Sequence, residues 1–171
     1  TQSILFNEKL IELCQKNSLQ HSVYRANSLT NLAKIKKKQL LLNDSFLLEI
    51  ESFQLRVMLH GYNHESIGSS LLLIGQIKQD LGDIGSGTEE IYLKALTIFQ
   101  NLLKGSSTEQ AQYSSELGDV YSSLCSLYQQ RNLLPKAIEN KLFEIQMRKL
   151  PGVLTRKLLN AMWDISQLLE E

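Results

Sequence analysis

Apolar residues recur at steps of three and four residues along almost the whole of this 171-residue chain. This spacing is typical of amphipathic α-helices, and no stretch alternates apolar and polar residues over the length of a strand. The pattern therefore predicts an all-α protein. About eight helices are expected, with boundaries good to roughly three residues. They cover residues 3–16, 20–38, 44–59, 64–81, 87–104, 108–130, 134–149 and 153–170.

Turn-forming residues separate the predicted helices. Glycines occur within residues 61–63, 82–87 and 105–107, where they favour the end of one helix before the next begins. Asn132 and Pro135 mark a further turn, because proline is tolerated in the first turn of a helix, where no backbone donor is needed. Residues 151–152, a proline and a glycine, are expected to end the seventh helix.

One short apolar motif occurs three times, each time inside a predicted helix. A large residue is followed three positions later by another, and then at once by a small residue. The three copies are Leu29, Leu32 and Ala33; Leu71, Ile74 and Gly75; and Tyr121, Leu124 and Cys125. Such a recurrence predicts stacked helix pairs, each of which buries its apolar face against its neighbours.

This stacking predicts a single domain over residues 1–171. The repeated units are placed at about 20–59, 64–104 and 108–149. An N-terminal helix at 3–16 precedes them, and a capping helix at 153–170 follows. Because the last unit of a stack needs a cover, the capping helix and its Trp163 are expected to close that end.

The third copy of the motif extends into a longer match. The bulky, apolar, small, aromatic, turn and small positions of the tetratricopeptide repeat are matched by Tyr121, Leu124, Cys125, Tyr128, Asn132 and Ala137. Leu71 follows Leu29 by 42 residues and His64 follows His21 by 43, a longer spacing that resembles the kinesin light chain type of this repeat. Over about residues 21–150 the chain is similar to the tetratricopeptide repeat superfamily. The resemblance implies a right-handed α-α superhelix of stacked antiparallel helix pairs.

The resemblance also implies a binding surface, because the first helix of each pair lines the concave side of such a stack. The residues at the ligand-facing positions are Asn31, Lys34 and Lys37; Leu72, Gln76 and Gln79; and Asp119, Ser122, Ser126 and Gln129. This groove is polar and mostly uncharged. It suits hydrogen bonds to an extended peptide, or to one side of a helix, from another protein.

Composition excludes several classes of partner. The 18 basic residues equal the 18 acidic ones, so no overall positive field is expected to attract nucleic acid. The longest apolar runs hold only a few residues, so membrane insertion is not expected. Cys14 and Cys125 are isolated thiols, which favours a reducing compartment such as the cytoplasm.

The sequence contains no arrangement that predicts catalysis. Neither a nucleophile beside a base, nor convergent carboxylates, nor a cofactor loop is recognisable, so we expect no enzyme activity and no cofactor. His60 and His64 have a spacing that can hold zinc on one helix face. Gly61 and Asn63 interrupt the helix between them, so no metal site is expected.

Three functions remain open. The first is a non-catalytic adaptor or scaffold that binds a peptide or helix of a partner protein in the concave groove. The second is an architectural subunit of a larger complex, and the third is a helical regulatory fragment of a longer protein. A chain that begins at Thr1 rather than Met favours a fragment or a processed product. A monomer is favoured over an oligomer.

Overall fold

The helices of the computed structural model follow the predicted order. The structure describes residues 2–17, 22–103, 107–149 and 156–169, with the backbone alone over 107–112. Within these ranges there are eight α-helices and no strand. They are α1 (Gln2–Lys16), α2 (Val23–Lys38), α3 (Leu42–His60), α4 (Glu65–Asp80), α5 (Ser86–Leu102), α6 (Ser107–Gln130), α7 (Leu134–Lys149) and α8 (Arg156–Leu168).

The all-α prediction is confirmed, and the helix ends lie within about three residues of their predicted positions. A few predicted helical positions lie outside the described residues, namely 20–21, 104, 153–155 and 170. Residues 105–106 and 151–152 of the predicted turns also lie outside them.

The chain divides into two compact units, Thr1–Asp83 and Ile84–Glu171. Unit 1 contains α1 to α4, and unit 2 contains α5 to α8. In each unit every helix packs against the next helix along the chain, and the most extensive packing joins the middle two helices. Packing between sequence neighbours is what a stack of helix pairs requires. A single domain and a superhelix that include both units stay predictions.

The core of unit 1 is built around small residues of α2. Ala26 and Leu29 pack against Leu55 of α3, with Ile11 of α1 at the side of the cluster. One further turn along α2, Ala33 packs against α4. The missing side-chain bulk at alanine lets two helices approach closely, which explains the small position of the motif. This cluster also brings α2 and α4 together, although α3 lies between them in the chain.

Two fully buried aromatic side chains of α5, Tyr92 and Phe99, belong to the core of unit 2. At the other side of the unit, Ile145 of α7 packs with Leu158 and Ala161 of α8. Small and aliphatic residues of α8 thus cover this part of α7, while the closing of the end of a stack by α8 stays a prediction. Trp163 lies on the opposite side of that helix, with 67% of its surface exposed.

The turns between the two middle helices of each unit correspond at a spacing of 92 residues. Leu40 and Asn132 both have a positive φ, 61° and 57°. The Leu40 N–H donates to Lys37 O at 3.0 Å, and the Asn132 N–H donates to Gln129 O at 2.9 Å. In both units a left-handed residue therefore ends the first helix of the pair, as in a Schellman motif.

A membrane-spanning role finds no support in the helices: none of those in the described ranges combines the length and apolar character that crossing a bilayer needs.

Candidate functional site

The predicted groove residues of unit 1 begin on α2. Asn31 and Lys34 are exposed, and the Asn31 amide reaches Oδ1 of Asn7 on α1 at 3.5 Å. Lys37 is half-buried, and its ammonium pairs with Asp80 of α4 at 2.7 Å. The charge of Lys37 is therefore balanced within the protein, whereas Lys34 stands on the surface of α2.

The groove residues predicted on α4 are less accessible. Gln76 is half-buried, but Leu72 is only 7% exposed and Gln79 only 8%. Their neighbours Leu73 and Ile77 are also buried and pack against Ala33 of α2. Leu72 and Gln79 offer little surface to a ligand here, and their part in binding stays a prediction.

In unit 2 the groove residues of α6 begin with Asp119, whose carboxylate lies between two cations. The Arg148 guanidinium donates to Asp119 Oδ1 at 2.8 Å. The Lys157 ammonium of α8 donates to both carboxylate oxygens at 2.8 Å. Asp119 therefore connects α6 with α7 and α8, and two positive charges surround its single negative one.

The remaining residues of this α6 face are uncharged. Ser122 is half-buried, while Ser126 and Gln129 are exposed. The Gln129 side chain accepts a weak hydrogen bond from the buried Cys125 thiol at 3.8 Å. Three uncharged polar side chains thus lie in line on α6, on the helix face that continues from Asp119.

A cleft of about 290 Å³ lies beside the end of this face. It is lined by Gln129, Lys141, Asp164, Gln167 and Leu168, from α6, α7 and α8. The structure therefore brings one predicted groove residue, Gln129, together with four that sequence reasoning missed. We call this cleft the α6–α8 cleft.

The missed residues belong to α7 and α8, which the repeat pattern does not assign to the groove. A usable signal exists for Lys141 alone. It lies four residues after the buried Ala137 and four before Ile145, so a charged residue interrupts an apolar stripe. Such an interruption indicates a buried charge with a partner.

Lys141 has two such partners. Its ammonium lies 2.8 Å from Glu144 and 3.1 Å from Asp164, and its side chain is almost fully buried. Burial by itself lowers the pKa of Lys141, but the hydrogen bonds and charges of Glu144 and Asp164 outweigh burial and raise the pKa overall. Lys141 is therefore a fixed cation in the wall of the cleft, and the half-exposed carboxylate of Asp164 remains open to a ligand.

The thiol next to the cleft is not a reactive group. Burial raises the pKa of Cys125 to about 11, so the thiol stays protonated at neutral pH. Cys125, at the small position of the third motif copy, is buried.

Metal ligands do not gather in the part of the chain that the structure describes: no group of three His, Cys, Asp or Glu side chains there could hold an ion. The rings of His60 and His64 stack at 4.2 Å instead, and His64 Nδ1 accepts from the Ser66 N–H at the start of α4. His64 thus acts as a helix cap.

The α6–α8 cleft offers two amides, one accessible carboxylate and a short apolar end at Leu168. Such groups can form hydrogen bonds with peptide groups and polar side chains. Comparison with known proteins adds no relative: no family model matches the chain, and a search of curated proteins found no match.

Proposed function

We propose that this chain is a non-catalytic protein-interaction module of the tetratricopeptide type, which binds a peptide or helix of a partner protein. The observation that carries the proposal is the continuity of the uncharged α6 face with the α6–α8 cleft. The face consists of Ser122, Ser126 and Gln129, and Gln129 at its end also lines the cleft. A ligand lying along α6 can therefore place one of its side chains in the cleft.

The size of the cleft favours a side chain over a free small molecule. Its volume of about 290 Å³ lies at the lower limit of ligand pockets, which range from about 300 to 1,000 Å³. Such a space holds one or two side chains of a longer ligand, while the rest of that ligand contacts the surface of α6. Binding by a peptide distributes the contacts in this way.

The charges of the cleft favour a particular anchor on the ligand. Lys141 is engaged by Glu144 and Asp164, so it adds little free positive charge. The Asp164 carboxylate is half-exposed, and the amides of Gln129 and Gln167 flank it. We expect a ligand side chain that donates hydrogen bonds, such as an amide or an ammonium group, to occupy the cleft.

The two buried free thiols support a reducing compartment such as the cytoplasm as the place of this function.

Selection of peptides from a random library on the purified chain tests the proposal. The selected peptides are then measured against a variant that combines Gln129→Ala with Gln167→Ala, both exposed, so the fold should be retained. The matched control is Gln146→Ala, an exposed glutamine on α7 outside the cleft. We expect the double variant to lose about tenfold or more in affinity, which corresponds to about 1.4 kcal/mol. Equal affinity for wild type, double variant and control would mean that the α6–α8 cleft is not the binding site.

An architectural role is the second candidate, and one observation favours it. Leu159, Met162 and Trp163 of α8 are exposed side by side at helical spacing, although apolar side chains of this size usually avoid contiguous exposure. Light scattering on the isolated chain distinguishes the two functions, because a clean monomer over a wide concentration range argues against an assembly surface on α8.

A further inference from the structure

The buried face of α3 contains a line of polar residues where apolar ones are usual. Ser45, Glu49, Ser52 and Arg56 are all buried and follow one another at helical spacing. Both serines form hydrogen bonds with the backbone of α2. The Ser45 hydroxyl donates to Ala33 O at 2.7 Å, and the Ser52 hydroxyl donates to Ala26 O at 2.8 Å. Because each hydroxyl donates a hydrogen bond to a backbone carbonyl, burying the two serines costs little free energy.

Glu49 is different, because its carboxyl group has no such partner. The residue is 0% exposed, and both carboxyl oxygens are buried without a hydrogen bond. Four groups near the carboxyl group favour its charged form. They are the hydroxyls of Ser70 on α4 and Thr30 on α2, and the charges of Arg56 on α3 and Lys34 on α2. A buried carboxylate without a bonded partner is costly, whereas a neutral carboxylic acid costs much less.

The one cation on the same buried face, Arg56, is committed elsewhere. Its Nη1 donates to Ser70 Oγ at 2.9 Å and to Ser66 O at 3.1 Å, and its Nη2 donates to Asn27 Oδ1 at 3.1 Å. These bonds connect α3 with α4 and with α2. The present packing of the three helices thus uses Arg56 for its contacts and leaves Glu49 without a bonded counter-charge.

We propose that Glu49 is a proton-operated switch in unit 1. With the proton bound, the neutral carboxyl group is compatible with the present contacts of Arg56. When the proton leaves, the buried carboxylate attracts the Arg56 guanidinium away from Asn27 and Ser70, and the contact of α3 with α2 and α4 loosens. The switch adds a regulation that does not depend on the proposed binding function.

Its electrostatic basis agrees with the geometry. Burial raises the pKa of Glu49, and this effect exceeds the lowering by the Ser70 and Thr30 hydroxyls and by the charges of Arg56 and Lys34. A carboxyl group with a raised pKa in the folded state stabilises the fold below the pKa of the unfolded chain. That stabilisation is lost as the pH rises through the folded-state pKa.

The position of unit 2 that corresponds to Glu49 has a different arrangement. The residue 92 positions after Glu49 is Lys141, which is buried but paired with Glu144 and Asp164. The Lys141 ammonium has two carboxylates at hydrogen-bonding distance, so its buried charge is paired. The switch is therefore assigned to unit 1 only.

Nuclear magnetic resonance on the whole chain tests the proposal directly. The side-chain carboxyl carbon of Glu49 and the Nε–Hε group of Arg56 are followed as the pH is raised from acid to neutral. We expect the Glu49 signal to titrate above the ordinary glutamate range, and the Arg56 signal and the backbone amides of Asn27 and Ser70 to move with the same midpoint. In Glu49→Gln these movements disappear, and in the control Asp44→Asn, an exposed carboxylate on the same helix, they persist.

Unfolding measurements supply a second readout. Between the two pKa values of Glu49, the unfolding equilibrium constant of wild type should rise about tenfold per pH unit relative to Glu49→Gln, because one proton separates the two states. If Glu49 titrates in the ordinary range, or titrates high while Arg56 and the amides stay still, the proposal is wrong. The wild-type titration decides this even if Glu49→Gln does not fold.

Discussion

The guanidinium of Arg148 and the carboxylate of Asp119 form a partly buried ion pair between α7 and α6, with 2.8 Å between Nη2 and Oδ1. Unit 1 contains the same link 92 residues earlier, where Arg56 donates to Asn27. Each middle helix pair is therefore fastened by an arginine on its second helix. The acceptor differs: a neutral amide in unit 1 and a carboxylate in unit 2.

The first prediction concerns the stronger of these links. Arg148→Ala removes bonds to Asp119 and to Glu144, and Glu144 is itself buried. Lys157 and Lys141 remain beside these acids, so the loss should be about 3 kcal/mol, at the lower end for a broken buried pair. Urea unfolding measures it. The matched control is the exposed neighbour Lys149→Ala, for which we expect less than about 0.5 kcal/mol.

A second prediction concerns Gly118, which lies against Arg148. A Cβ at this position would meet Cγ, Cζ and Nη1 of Arg148 at 3.1 Å. Alanine inside a helix is favoured over glycine by about 1 kcal/mol, but Arg148 cannot move aside easily because both Asp119 and Glu144 hold it.

Gly118→Ala should therefore bring no gain in wild type, yet stabilise the Arg148→Ala variant by about 1 kcal/mol. A double-mutant cycle by urea unfolding gives the coupling. The same effect of Gly118→Ala in both backgrounds would show that Arg148 does not limit the position.

The sequence predicted the helices well because their apolar stripes are long. The small residues Ala33 and Cys125 also lie where the motif placed them, fully buried at helix contacts. Apart from Lys141, which interrupts an apolar stripe, the charged residues on the buried faces could not be assigned in the same way. Glu49, for example, is as polar as exposed residues of α3 such as Asp44, and only the contacts in space show that it is buried.

The candidate site was predicted in part, for a related reason. The face of α6 follows from helical spacing within one element, so Ser126 and Gln129 could be placed on a surface from the sequence. Lys37 and Asp80 pair across 43 residues of chain, and Asp164 approaches Lys141 from another helix. Such pairs depend on how helices pack, which periodicity does not specify.

A third prediction uses the turn after α2. Leu40 has a φ of 61° and is 81% exposed, so its side chain gains little from packing while its backbone is strained. In the described part of the chain, two other helix ends of this type carry Asn132 and Gly82, which tolerate a positive φ. Leu40→Gly should therefore stabilise the protein by about 1 kcal/mol.

The control for this prediction is the preceding residue. Gln39 has a φ of −86°, which every residue adopts, so Gln39→Gly should destabilise by about 0.5 to 1 kcal/mol through the unfolded chain. Thermal or urea unfolding compares the two glycine variants. Destabilisation by both would mean that Leu40 makes contacts that outweigh its backbone strain.

The last prediction concerns alkaline pH and the contact of α5 with α6. The Tyr128 hydroxyl donates to Glu89 at 2.6 Å, and Arg131 donates to the same carboxylate. Burial, the hydrogen bond to Glu89 and the negative charge of Glu89 raise the pKa of Tyr128 to about 12. A tyrosine in the unfolded chain ionises near pH 10, so the folded state retains this proton over the interval between.

Stability should therefore fall as the pH rises from about 10 towards 12, by up to about 1.4 kcal/mol per pH unit from this group. Tyr128→Phe has no proton to lose and should lack this component, whereas the exposed Tyr24→Phe should retain it. Urea unfolding at several pH values between 9 and 11 measures the difference. Because Glu89 raises the pKa of Tyr128, Glu89→Gln should lower this pKa and make the loss of stability between pH 10 and 12 smaller. Parallel curves for wild type and Tyr128→Phe would refute the assignment.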